Sequence, residues 1–127
     1  MEKTILISNR EVKFKCSGGF LIKFRQLTGE DPIKAITNLE KVLSKNKGEE
    51  ISLDDINFEQ LYVFYKIIWV LAKTADSSIS DLEEWVDSFD EFPLADILTQ
   101  LLDLIQNAFK SNLSLKESKK KKVAIKK

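Results

Sequence analysis

Asn57 to Asp76, read as NFEQLYVFYKIIWVLAKTAD, decides the fold. Apolar side chains crowd it from Phe58 through Leu61, Tyr62, Phe64, Tyr65 and Ile67 to Ala72. That density covers most of a helix's circumference, and a helix apolar nearly all round has to be buried on several sides. Lys66 splits the run into pieces well short of the ~20 residues a bilayer span needs. The stretch therefore reads as the central helix of a small domain, with Asn57 as N-cap and Gln60 three residues on. Trp69 is expected to be buried within it.

Working outward, the remaining segments read as shorter elements around this helix. Thr4–Ile7 and Val12–Lys15 alternate or are β-branched, and Ser8-Asn9-Arg10-Glu11 between them has turn chemistry, which predicts a β-hairpin. Its second strand places Val12, Phe14 and Cys16 on one face. Ser17-Gly18-Gly19 breaks that strand, and Phe20, Phe24 and Leu27 then recur at helical spacing up to a Gly29 stop. Asp31 caps a second helix with Pro32 in its first turn and a stripe of Ile33, Ile36, Leu39, Val42 and Leu43. Ser52 with Asp55 is expected to cap one short turn in a polar loop. After the central helix, Ser80 and Glu83 form an S-x-x-E capping box ahead of Leu82, Trp85, Val86 and Phe89. Phe92-Pro93 opens a last helix striped by Leu94, Ile97, Leu98, Leu101, Ile105, Ala108 and Phe109, widened by Leu102 and Leu104. The reading is a mainly α (α+β) fold in one domain over 1–113, with a lysine-rich segment over 114–127 expected to be disordered, because it has little to bury.

Composition narrows the function. With 127 residues, 43% hydrophobic and 31% charged, the chain has material for one core and a charged surface. Histidine is absent, which removes the commonest general base and the commonest zinc ligand. Cys16 is alone, so no internal disulfide or cysteine cluster forms. Met1–Val12 has no apolar h-region, and a cytosolic protein is expected. The net charge of zero conceals a division: every charge from Asp76 to Asp103 is acidic, and from Lys110 onward only Glu117 is not a lysine.

None of the residues that carry chemistry elsewhere is arranged for it here. The acidic segment around Glu83, Glu84, Asp87 and Asp90 lacks the glycine and alternating oxygen ligands of a calcium loop, and reads as a solvated face. Gly18-Gly19 lacks the further glycines and the Lys-Ser/Thr of a phosphate loop. Trp69 and Trp85 at helical spacing among leucines fit a core better than a pocket. Cys16 has no histidine to activate it. No catalytic residue, metal ligand or cofactor site is expected, and the chain is read as not an enzyme. Lys119–Lys122 with Lys126 and Lys127 offers phosphate-binding charge, but without aromatics or arginines a solubilising tail fits at least as well.

The order of segments, from VKFKCSGGFLIKFRQLTGEDPIKAI through LYVFYKIIWVLAKTADSSISDLEEWVDSFDEFPLADILTQLLDLIQ, resembles the tail assembly chaperones of long-tailed phages and prophages of Gram-positive bacteria. The likeness runs from about Ile5 to Leu113 and is carried most by Ala72–Asp76, Leu82–Trp85 and Phe89–Phe92. It implies a non-enzymatic protein of the host cytoplasm that coats the helical tape measure protein while tube subunits polymerise. It also implies a longer product made by ribosomal frameshift. Lys119–Lys122 require A-rich codons on which a ribosome can slip, so this chain is read as the short product. The implied partners are the tape measure protein, the tail tube protein and the longer form of the chain itself; no membrane is expected, and nucleic acid is not the expected partner. On the residues, the stripes around Trp69, Trp85 and Leu101 are expected to leave an apolar groove for a partner helix. The alternatives are a small nucleic-acid-associated protein acting through the lysine tail and a structural subunit that stays in the tail.

Overall fold

Two residues close the N-terminal hairpin. The computed structural model describes residues 1–45 and 56–109. In it β1 (Glu2–Ile7) pairs antiparallel with β2 (Arg10–Lys15), Ile7 opposite Arg10 and Ile5 opposite Val12. Five helices follow among the described residues: α1 (Phe20–Thr28), α2 (Pro32–Lys45), α3 (Phe58–Ala75), α4 (Leu82–Asp87) and α5 (Leu94–Phe109). The fold is mainly α with an N-terminal hairpin, as the sequence reading has it. Ser52 to Asp55 and the segment 114–127 lie outside the described residues, as do the side chains of Leu43, Ala108 and Phe109.

The turn is shorter than the four residues expected, because Arg10 and Glu11 belong to β2. Ser8 and Asn9 have φ of 49° and 65°, the left-handed pair that matches the twist of the flanking strands. Asparagine tolerates that region and serine does so less often. Here the serine hydroxyl has a second task. Its Oγ donates to the Glu91 carbonyl at 2.7 Å and accepts the Glu91 N–H at 2.9 Å, clasping the hairpin tip to the α4–α5 link.

Alternation along the strands then fixes the buried face. Ile5, Ile7, Val12 and Phe14 are buried, while Thr4, Leu6, Glu11 and Lys13 face out. That inner face packs on α3 and α5. In α1, Phe20 and Phe24 are buried and Leu27 is exposed, and the helix stops at Gly29 with φ 75°. In α2, Asp31 Oδ1 accepts the Ile33 N–H at 2.9 Å. Ala35, Ile36, Leu39 and Val42 are buried, but Ile33, expected in the stripe, is exposed.

The hairpin and the other four helices all contact α3. Ile67 to Ala72 are six consecutive buried residues, as an apolar circumference requires. Both halves of its capping box form: Asn57 Oδ1 accepts the Gln60 N–H at 2.9 Å, and Gln60 Oε1 accepts the Asn57 N–H at 3.3 Å. Asn57→Ala is expected to lower stability by about 1 kcal/mol, read from the urea midpoint. A midpoint equal to wild type would show that the cap is idle.

α4 begins one residue later than the S-x-x-E pattern places it. Its N-cap is Asp81, whose Oδ1 accepts the Glu84 N–H at 2.9 Å. The helix ends at Asp87, so Phe89 is buried from the link rather than from the helix. The Arg10 guanidinium lies 3.8 Å from the Phe89 ring centroid, and its Nη2 donates to Ser88 Oγ at 3.1 Å. Arg10→Ala is expected to cost about 1 kcal/mol, from one exposed cation–π contact and one hydrogen bond. Arg10→Lys should recover only part of it, because an ammonium does not stack flat. Full rescue by lysine in thermal melts would refute the stacking account. Finally, α5 buries Leu94, Ile97, Leu98, Leu101, Leu104 and Ile105, and packs along β1.

Candidate functional site

The first two turns of α3 break the all-round burial of the rest of the helix. Phe58 is 70% exposed and Tyr62 45%, although both belong to the most apolar segment of the chain. They stack on each other with centroids 5.9 Å apart and planes at 17°. One turn on, Tyr65 stacks on Phe92 at 5.6 Å, and Phe92 meets Trp85 edge to face, also at 5.6 Å. Trp85 in turn holds Phe89 edge to face at 5.4 Å. The aromatic rings thus run from solvent inward to the core.

Between α3 and α4 the rings of Phe58, Tyr62, Tyr65, Phe89 and Phe92 form the floor of an open groove of about 1130 Å³. Leu82 and Val86 add to the apolar lining. The wall is acidic, made by Asp81, Glu83, Glu84 and Asp87. Asp81 is committed to capping α4, whereas Glu83, Glu84 and Asp87 have no ion-pair partner among the described residues. Two cations lie against floor rings: Arg10, 3.8 Å from the Phe89 centroid and hydrogen-bonded to Ser88, and Lys66, with Nζ 4.4 Å from the Tyr62 centroid and already bound to Glu30 at 2.8 Å. A groove this size, with an apolar floor and one charged wall, suits several side chains of a helix better than an enclosed small ligand.

Trp69 is buried as expected, and Trp85 and Leu101, whose stripes with it were expected to leave a partner groove, are core residues too. Trp69 is 8% exposed, Trp85 5% and Leu101 0%. Trp69 Nε1 donates to the Ser80 carbonyl at 3.0 Å, so even its polar edge is used inside the fold. The groove is left to Phe58 and Tyr62. A signal for this lay in the sequence: NFEQLY at the start of α3 interleaves polar residues, whereas IIWVLA has none. The acidic segment, read as a solvated face, is solvated and also forms the groove wall.

Cys16 is buried, and burial pushes its thiol pKa up, with the nearby N-terminal charge pulling the other way. Among the described residues no group of three acidic or cysteine side chains is placed to hold a metal ion. No described helix is long and apolar enough to cross a membrane. No family model, curated protein or solved structure matches the chain.

Proposed function

We propose that this chain is a tail assembly chaperone that binds the tape measure protein in the host cytoplasm and keeps it from aggregating while the tail tube is built. One observation carries the reading: the α3–α4 groove, which leaves Phe58 and Tyr62 exposed beside a core that buries Phe64, Trp69, Trp85 and Phe89. An amphipathic helix binds such a groove through anchors at i, i+3, i+4 and i+7. A long tape measure helix repeats such anchors, so many chaperone copies can line up along it. The segment order of the sequence supports the same reading, through its resemblance to this family. The tail tube protein and a longer frameshifted form of the chain are the further partners it implies.

The test is co-expression with a tape measure protein, the long coiled-coil-like product that this reading expects the neighbouring gene to encode. The soluble fraction of that protein should rise, and the two should co-purify. An apolar floor carries the contact, so the complex should persist at roughly 500 mM salt, where exposed ion pairs are screened. Absence of a complex, or its complete loss at modest salt, rejects the proposal. Binding to random duplex with a steep salt dependence would instead favour the lysine tail as a nucleic-acid contact.

A further inference from the structure

The geometry points to the chain's own lysine segment, Lys119–Lys127, as a reversible occupant of the α3–α4 groove. This goes beyond the chaperone reading and stands whether or not a tape measure protein binds. The segment reads KKKKVAIKK, an apolar trio between two groups of lysines. The groove offers the complementary arrangement: exposed Phe58 and Tyr62 on the floor, and along the wall the carboxylates of Glu83, Glu84 and Asp87, which have no ion-pair partner among the described residues. Val123 and Ile125 would lie over the rings while lysines on either side meet the carboxylates.

Chain length permits this. α5 starts beside the groove, since Phe92 stacks on Tyr65, and its far end lies near Met1, which Asn107 contacts. That helix of 16 residues is about 24 Å long. The ten residues from Lys110 to Lys119 reach at most about 33 Å, enough to bring the lysines back along it. Exposed ion pairs taken singly contribute little, which is why the sequence alone predicts a loose tail. Tethering alters the balance, because a short linker holds the segment at an effective concentration in the millimolar range. Several weak contacts then act together, and the apolar trio adds burial that charge alone lacks.

A nitroxide attached at Ser118→Cys in the full chain tests this, with Cys16 protected by burial. At roughly 20 mM salt, amide signals of Phe58, Tyr62, Glu83 and Glu84 should broaden, and the broadening should be lost at roughly 500 mM. It should also be lost in the Glu83→Gln, Glu84→Gln, Asp87→Asn variant, which spares the Asp81 cap and changes only exposed side chains. Independence from protein concentration would place the segment on its own chain. Three outcomes overturn the proposal: no broadening beyond that at Ile22 on α1, broadening unchanged in the triple variant, or broadening that scales with concentration and so comes from a second copy.

Discussion

Trp69→Ala is expected to lower the unfolding free energy by about 3–5 kcal/mol, the range for an aromatic removed from a packed core. The ring is 8% exposed and sits within the six-residue buried run of α3, the helix that β2 and the other four described helices touch. Alanine therefore leaves a cavity where the hairpin and the helices converge. It also deletes the hydrogen bond to the Ser80 carbonyl. Trp69→Phe separates the two effects. Ser80 is exposed, so water takes over its carbonyl, and loss of the hydrogen bond should cost only about 1 kcal/mol. Urea unfolding measures both: the midpoint falls while the slope stays constant, because the surface exposed on unfolding is unchanged. An alanine variant with the wild-type midpoint would remove α3 from the centre of the fold.

The proposed chaperone role predicts the opposite pattern for the groove. Phe58→Asp and Tyr62→Asp should scarcely change stability, since both side chains already face water. Each should weaken the tape measure complex by about thirty-fold or more, as loss of an aromatic anchor worth about 2 kcal/mol does. Titration calorimetry or a pull-down with labelled partner reads the loss, and a melting curve confirms the fold. If both variants bind as wild type, the contact lies elsewhere on the surface. Trp85→Ala is a poor probe, because that ring supports Phe89 and Phe92 from inside and its loss would disturb core and groove together.

Much of the core was legible because its signals were redundant. Six unbroken apolar residues, an Asn57–Gln60 cap and alternation along Val12-Lys13-Phe14 each have one cheap structural solution. The start of α4 was not, since Ser80 with Glu83 and Asp81 with Glu84 both satisfy the capping pattern. Only the backbone direction, which aims the Glu84 N–H at Asp81, chooses between them. The candidate site was misplaced for a related reason. Periodicity tells which residues share a face, and is silent on how far a neighbouring element extends along it. α4 is six residues long and leaves part of α3 uncovered, so Phe58 and Tyr62 are exposed while Trp69, of like character, is not.

The clasp between Ser8 and Glu91 joins positions 83 residues apart, and β1 lies against α5. A ribosome therefore delivers the apolar face of Ile5 and Ile7 first and its cover last. At about 5–20 residues per second, that face waits on the order of 5–20 s before α5 exists to close over it. The hairpin can pair at once, but the domain cannot complete itself until α5 has emerged. A protein proposed to shield another chain from aggregation thus begins its own existence with an unshielded strand.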